Sequence, residues 1–176
     1  MGSDERLLTV DLIAGRAYAI ALEFQQPRGQ SFSGMRFGLL DPQPVDKFER
    51  ALRLAAQADV ALVFAGLSGE WDAEGFDRPT LDLPAEQNAL IAQVAQANPN
   101  TVVVLNTGSA ITMPWLDQVA AVIQASYPGQ EAGNAIADIL FGDVNPSGKL
   151  TQTYPQRIED TPAYLNFPGE NGRVLY

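Results

Sequence analysis

Apolar residues follow a helical spacing and then a strand-like spacing from residue 45 onward. Those that recur every three or four positions predict an amphipathic helix reaching residue 58; they are Val45, Phe48, Leu52 and Ala55. The continuous apolar run at residues 60–65 is typical of a parallel strand buried on both faces. The same patterns predict the later elements in order: a helix at 84–97, a strand at 101–105, a helical turn at 114–118, a strand at 120–125, a helix from 132 that ends at Gly142, and a strand at 150–154.

Strands and helices that alternate at this short spacing are typical of a parallel sheet with right-handed crossovers. The sequence therefore predicts an α/β fold, a three-layer αβα sandwich with a mainly parallel sheet. In such a sheet the loops that follow the strands gather at one edge. We therefore expect the loop after residue 65 and the segments 106–109 and 127–131 to share a rim.

Residues 1–44 have a different pattern, in which apolar and polar residues alternate around turn-forming residues. The pattern predicts these elements: strands at 7–12, 17–24 and 35–40, a turn at 14–16, and a proline-containing linker at 41–44. The sequence thus predicts a short antiparallel β segment at the N-terminus, followed by the α/β sandwich in residues 45–176.

The charge of the chain and its missing residue types restrict its chemistry. A net charge of −10 repels phosphate backbones and anionic lipid, so we expect no nucleic-acid partner and no membrane partner. Without cysteine or histidine, the chain has no disulfide, no thiolate or imidazole metal ligand and no Ser-His or Cys-His pair. Acid–base chemistry therefore falls to Asp, Glu, Lys or Tyr. No apolar run approaches the roughly 20 residues of a membrane span, and no signal-peptide pattern occurs. The location stays unknown, with a bacterial cytoplasmic protein and a secreted protein both open.

An acidic segment follows the strand predicted at 60–65. Trp71 and Phe76 lie among its four carboxylates, which fall within eight residues: Glu70, Asp72, Glu74 and Asp77. A segment of this kind is usually a solvated surface, and perturbed carboxylates also occur in structural ion pairs. The pattern alone therefore leaves a catalytic role open.

Two classes of ligand fit this segment poorly. Residues 66–69 lack the lysine and the spacing of a phosphate-binding loop, and no G-x-G-x-x-G follows a strand. Hard divalent cations do bind carboxylates, yet Ala73, Gly75 and Phe76 interrupt the acids and the alternation matches no calcium-binding loop. We therefore predict no metal and no cofactor.

Glycoside hydrolysis fits the segment better. It uses two carboxyl groups at the scissile bond, one of them kept protonated, and an aromatic surface for the apolar face of the sugar. Residues 70–79, with the Leu-Asp-Leu-Pro at 81–84, closely resemble the second-domain loop of glycoside hydrolase family 3 β-glucosidases, where the pattern runs W-E-x-E-G-x-D-R and then x-L-P. Further segments resemble the same family in register as far as residue 155: 103–109, 113–115, 127–137 and 140–150.

The resemblance implies roles for individual residues of the loop. Glu74 occupies the position of the general acid/base in that family, and Trp71 and Asp72 are implied as substrate-binding residues. Asp72 stands where many members have Glu, and Ser68 stands where many have Asn.

Four other residues, two in this loop and two in later loops, are expected to have structural roles. We expect Asp77 and Arg78 to form an ion pair that shapes the loop, and Trp115 and Tyr127 to be packing residues at the rim.

The resemblance also implies what a complete enzyme contains. Residues 10–18 resemble the closing strands of the protective-antigen-like β domain that some family 3 enzymes carry inserted in this sandwich, which suggests that residues 1–44 are its tail. Family 3 enzymes are retaining, and their nucleophilic Asp lies in a (β/α) barrel domain that nothing in this chain resembles. We therefore expect a fragment, or one chain of a larger assembly, that is inactive alone. The complete β-glucosidase is expected to hydrolyse terminal β-D-glucosyl residues of oligosaccharides or glycosides. The alternative is a non-catalytic sandwich that binds carbohydrate or docks another domain.

Overall fold

The structure is a computed structural model that describes residues 6–25, 37–39, 46–167, 169 and 171–174. The chain divides into two compact units, one within Ser3–Val45 and a larger one that includes Asp46–Tyr176. The assignment of residues 1–44 to an inserted protective-antigen-like domain and of residues 45–176 to a family 3 sandwich stays a prediction.

Helices and strands alternate in the larger unit, as the apolar pattern predicted. In chain order they are α1 (Lys47–Gln57), β1 (Ala61–Gly66), α2 (Gln87–Ala97), β2 (Thr101–Asn106), β3 (Ala121–Gln124) and α3 (Ala132–Phe141), with 3-10 helices at Leu116–Gln118 and Ile158–Asp160. Helix α2 begins three residues later than predicted, because Ala85 has a φ of 52°, which an α-helix does not accommodate. Helix α3 ends at the predicted Gly142, whose φ of 83° is the left-handed conformation that closes many helices.

The three strands form one parallel sheet in the order β1-β2-β3. Val63 of β1 lies opposite Val103 of β2, which in turn lies opposite Val122 of β3. A parallel sheet with packed helices is the α/β sandwich that the alternation of elements predicted. Because all three strands run in one direction, their C-terminal ends meet at one edge of the sheet.

The core of this unit lies between one face of the sheet and the helices α1 and α2. On β1 the alternate side chains Ala61, Val63 and Ala65 are buried there. Ile91 of α2 and Val103 of β2 are fully buried in the same cluster. Burying a side chain of this size contributes about 1.5–3 kcal/mol, so this cluster fixes the helices to the sheet that carries the rim.

The other face of β1 is open to solvent. Leu62 and Phe64 are 47% and 59% exposed, so the prediction that residues 60–65 are buried on both faces is wrong. The described residues leave the side chains on this face of β1 largely uncovered. On the central strand β2, Val104 lies opposite Phe64 and is fully buried.

The antiparallel segment predicted at the N-terminus has no strand in residues 6–25 or 37–39. The predicted turn is present, since the Arg16 N–H donates to Ile13 O at 3.1 Å. A hairpin without a hydrophobic face to pack on is marginal in water, and Leu8 and Ile20 are 89% and 58% exposed here. The remainder of the third predicted strand and the linker at 41–44 lie outside the described residues.

Residues 150–154 also form no strand, contrary to the prediction. Leu150 is 66% exposed, and the described strands β1 to β3 do not pair with this segment. A β-branched and apolar sequence forms a strand only where a neighbour accepts its backbone hydrogen bonds.

Candidate active site

Three loops meet at the edge of the sheet where the strands end. Asp72 lies in the loop after β1 (residues 67–82, the acidic loop), Ser109 in the loop after β2, and Tyr127 in the loop after β3. The Ser109 hydroxyl donates to Asp72 Oδ1 at 3.1 Å, and the Tyr127 hydroxyl donates to Asp72 Oδ2 at 2.9 Å. These bonds confirm the predicted rim, and Asp72 is the residue that joins its three loops. We call Asp72, Ser109 and Tyr127 the Asp72 junction.

Glu74 lies at the tip of a turn two residues after Asp72. Ala73 and Phe76 pair in an antiparallel bridge, which leaves Glu74 and Gly75 as the two residues between them. Both residues at the tip are exposed. The ion pairs of the described residues are made by Arg53 and Arg157, so none of them engages the Glu74 carboxylate. The turn therefore presents this carboxyl group to whatever faces the rim.

The Glu74 turn is anchored on its N-terminal side. The backbone N–H groups of Trp71 and Asp72 both donate to Ser68 O, at 2.8 Å and 3.0 Å. The Asp72 side chain adds the two hydrogen bonds of the Asp72 junction. Backbone and side-chain bonds together fix the residues that lead into the turn.

Arg78 anchors the C-terminal side of the turn. Its Nη2 donates to Ala110 O in the loop after β2 at 2.5 Å, whereas Nη1 is buried without a hydrogen-bond partner among the described residues. The described residues contain no ion pair between Asp77 and Arg78, so that prediction is wrong. The guanidinium reaches across to the next loop instead of pairing with its sequence neighbour.

The end of the acidic loop is tied to the loop after β2 as well. The Thr112 N–H donates to Leu81 O at 2.9 Å, and the Thr112 hydroxyl donates to Asp82 Oδ1. At its start, a Cβ on Gly66 would lie 2.2 Å from Asn106 O, so only glycine permits this approach of β1 to β2. The acidic loop is therefore held at both ends and on both sides of Glu74.

The phenol of Tyr127 is perturbed by its position in the Asp72 junction. Partial burial raises the pKa of Tyr127 above its ordinary value of 10.0, and the hydrogen bond to Asp72 raises the pKa further. A Cβ on Gly108 would lie only 2.5 Å from Tyr127 Cε2, so the ring packs directly on the backbone of the loop after β2. Tyr127 is thus a hydrogen-bonded rim residue with 55% of its surface exposed, and not only the packing residue that the sequence predicted.

The two tryptophans of the region differ in environment. Trp115 is 1% exposed and donates from Nε1 to Asn88 Oδ1 at 2.8 Å, which confirms it as a packing residue. Trp71 is 42% exposed beside the Glu74 turn, where its indole can meet a ligand. Whether Trp71 and Asp72 bind substrate stays a prediction.

Sequence reasoning missed the partners of Asp72. Ser109 and Tyr127 lie 37 and 55 residues from Asp72 along the chain. The available signal was their position directly after two predicted parallel strands, which places hydroxyl groups and carboxylates at the same edge.

Two further properties concern the described residues as a set. Among the residues that the structure describes, no three carboxylates lie close enough together to bind a metal ion. None of the described helices is both long and apolar enough to cross a bilayer.

A protein-family model matches nearly the whole chain. The model of the glycosyl hydrolase family 3 C-terminal domain matches residues 9–176. A probable β-glucosidase I of Emericella nidulans is 42% identical over 99% of this chain, and a β-glucosidase of Rhizobium radiobacter is 43% identical over the same share. The chain spans 22% of the length of each of these relatives.

Solved structures of similar sequence have the same fold. A β-glucosidase from Kluyveromyces marxianus in complex with glucose superposes with a TM-score of 0.72 and 46% identity, over 78% of this chain and 16% of that protein. A family 3 β-glucosidase from Bifidobacterium adolescentis superposes with a TM-score of 0.68 and 45% identity, over 77% of this chain and 20% of that protein. The acidic loop and its rim thus belong to a fold that recurs within much longer chains.

Proposed function

Since the chain belongs to glycosyl hydrolase family 3 and matches the C-terminal domain of that family, we propose that it forms one half of the active site of a retaining β-glucosidase. In this proposal Glu74 is the general acid/base. The proposed substrates are oligosaccharides or glycosides with a terminal β-D-glucosyl residue. The proposed partner is a (β/α) barrel domain that carries the nucleophilic Asp. This chain alone would therefore be inactive.

The proposal rests on how the Glu74 turn is held: Glu74 is exposed, but the residues on both sides of it are fixed. Its turn is exposed at the tip, while Asp72 on one side and Arg78 on the other tie the turn to two other loops of the rim. A group that transfers protons to a bound substrate has to be accessible and well positioned at once. An exposed carboxylate on a freely moving surface loop would meet only the first requirement.

The proposed reaction has two steps. In the first, the nucleophilic Asp of the barrel attacks the anomeric carbon while Glu74 protonates the leaving glycosidic oxygen. In the second, Glu74 takes a proton from the water that attacks the glycosyl-enzyme, which releases the sugar and returns the enzyme to its first state. Retaining chemistry requires the two carboxyl groups to stand about 5 Å apart, so the barrel has to dock against the rim.

Trp71 and Asp72 complete the proposed site. The exposed indole of Trp71 offers an apolar face on which a sugar ring can stack. The Asp72 carboxylate already accepts two hydroxyl donors, but a carboxylate has about four acceptor sites, so it retains capacity for a sugar hydroxyl.

The test is hydrolysis of aryl β-glucosides by the complete enzyme that contains this chain, with Glu74→Gln as the variant and Glu70→Gln as the matched control in the same loop. We expect Glu74→Gln to lower kcat/KM by about a hundredfold or more for a poor leaving group, because general acid catalysis contributes 10²–10⁴-fold. A dinitrophenyl leaving group needs no protonation, so its kcat/KM should stay close to that of the wild type. Equal losses on both substrates, or an equal effect of Glu70→Gln, would contradict the assignment.

Docking of another domain without a catalytic contribution is the second candidate. The observation that favours it is the open face of β1, where Leu62 and Phe64 are exposed. In that case the complete enzyme would keep its full activity after Glu74→Gln, while charged substitutions at Leu62 and Phe64 would weaken the association of the domains.

A further inference from the structure

Building on the proposed function, we propose that Tyr127 is a positioning residue for Glu74 and acts through Asp72. The Tyr127 hydroxyl lies 2.9 Å from Asp72 Oδ2, and Asp72 precedes Glu74 by two residues. The loop after β3 would thereby set where the acid/base of the loop after β1 stands. Tyr127 itself is not assigned a contact with the reacting atoms.

The backbone that carries Tyr127 is fixed by β2. The Ala125 N–H donates to Leu105 O at 2.8 Å, which extends the pairing of β3 with β2 beyond the strand itself. Ser126 then turns the chain with a left-handed φ of 56°, and its carbonyl accepts from Asn106 Nδ2 at 3.3 Å. The backbone position of Tyr127 is therefore set by the register between β2 and β3.

Packing fixes the ring of Tyr127 in addition. A Cβ on Gly108 would lie 2.5 Å from Tyr127 Cε2 and 3.1 Å from Asp72 Oδ2. Gly108 therefore leaves the space in which the phenol and the carboxylate meet. Packing on Gly108 places the ring, and the hydroxyl then places Asp72, so the two contributions can be separated by experiment.

Two donors on different oxygens orient the Asp72 carboxylate. Ser109 donates to Oδ1 and Tyr127 donates to Oδ2, which restrains both the position of the group and its rotation. Hydrogen bonds to an ionised carboxylate are stronger than those between neutral groups. From Asp72 the chain runs straight into the bridge between Ala73 and Phe76, so a displacement of Asp72 also displaces Glu74.

The protonation state of the phenol suits this role. Partial burial and the hydrogen bond to Asp72 both raise the pKa of Tyr127, so the phenol remains a donor across the neutral range. Loss of the phenolic proton of Tyr127 would place a phenolate beside the Asp72 carboxylate, and the hydrogen bond between the two residues would break.

The test uses Tyr127→Phe in the complete enzyme, because this change keeps the ring on Gly108 and removes only the hydroxyl. We expect kcat/KM for a poor leaving group to fall about tenfold, since small misplacements of catalytic groups cost up to about a hundredfold. For a dinitrophenyl leaving group, whose departure needs no acid, kcat/KM should remain near the wild-type value. The matched control is Tyr18→Phe, which removes an exposed hydroxyl that accepts from the Ile13 N–H within the N-terminal unit.

A double variant tests the route through Asp72. If Tyr127 acts through Asp72, Tyr127→Phe combined with Asp72→Ala should lose no more activity than Asp72→Ala alone, because alanine leaves the Tyr127 hydroxyl no acceptor at this position. Additive losses would overturn the proposed route. Equal losses on both substrates, together with a lowered melting temperature, would mean that Tyr127 only stabilises the fold and would also overturn it.

Glu74→Gln separates this inference from the proposed function. A leaving-group-dependent loss in Glu74→Gln with wild-type behaviour in Tyr127→Phe would leave the proposed function standing and refute the positioning role. No leaving-group dependence in Glu74→Gln would refute the proposed function itself. In the Glu74→Gln background, Tyr127→Phe should add no further loss, because no acid remains to be positioned.

Discussion

The side-chain amide of Gln87 makes two hydrogen bonds to the backbone of Gly66. The Gly66 N–H donates to Gln87 Oε1 at 2.8 Å, and Gln87 Nε2 donates to Gly66 O at 3.1 Å. The next residue, Leu67, donates its N–H to Asn106 O on β2, so the polar groups of Gly66 face the free edge of β1. There the amide at the start of α2 takes the place of a neighbouring strand, directly before the acidic loop begins.

Gln87→Ala should therefore destabilise the chain. Removing the amide leaves a part-buried N–H and C=O of Gly66 without partners, which costs about 1–3 kcal/mol. Urea denaturation followed by circular dichroism measures this loss as a lower midpoint at constant slope. Gln93→Ala is the matched control, because Gln93 is exposed on the same helix and should change the free energy of unfolding by less than about 0.5 kcal/mol. Equal midpoints for the two variants would contradict the structural role of the Gln87 amide.

Gly66→Ala should be more damaging than Gly69→Ala. The added methyl group at Gly66 would lie 2.2 Å from the backbone oxygen of Asn106, so β1 and β2 would have to separate next to the rim. Overpacking of this kind costs about 1–3 kcal/mol and more where backbone has to move. At Gly69 the added methyl group meets no atom within 4 Å, and that variant should unfold near the wild-type midpoint. Similar midpoints for both variants would show that the strands adjust without strain.

Tyr127 should make the stability of the chain decrease at alkaline pH. Its pKa in the folded state is raised above 10.0, so the unfolded chain releases this proton first as the pH rises. The contribution of the Tyr127 phenol to the free energy of unfolding is fully present below about pH 10 and is lost as the pH rises through the folded-state pKa of Tyr127. Tyr127→Phe lacks this titration, so its urea midpoint should fall less steeply than that of the wild type between about pH 9 and pH 11. Parallel curves for the two proteins would show that the phenol has the same pKa in both states.

Local sequence patterns predicted the elements of the sandwich well because short-range preferences decide them. The helical spacing of Phe48, Leu52 and Ala55 and the left-handed Gly142 both depend on residues within one or two turns of chain. The strands predicted at 7–12, 17–24 and 150–154 failed for the opposite reason, since a strand exists only if another strand accepts its hydrogen bonds.

The candidate site was predicted less completely than the fold. The resemblance of residues 70–79 to a family pattern made Glu74 the candidate acid/base, which stays a prediction, and strand order predicted that three loops share a rim. Neither could reveal that Asp72 receives its hydrogen bonds from Ser109 and Tyr127, or that Arg78 bonds to Ala110 instead of Asp77. These contacts depend on the exact register of three strands and on where each side chain points.

The sequence by itself determined that this chain forms a parallel α/β sandwich, that any acid–base chemistry has to use Asp, Glu, Lys or Tyr, and that Glu74 is the residue to test. Only the tertiary structure decided which face of β1 is buried, how the Glu74 turn is held and which hydroxyl groups fix Asp72. The physical reason is that hydrophobic periodicity and turn chemistry act over a few neighbouring residues. Contacts between residues 37 to 55 positions apart exist only after the sheet has brought the ends of its strands together.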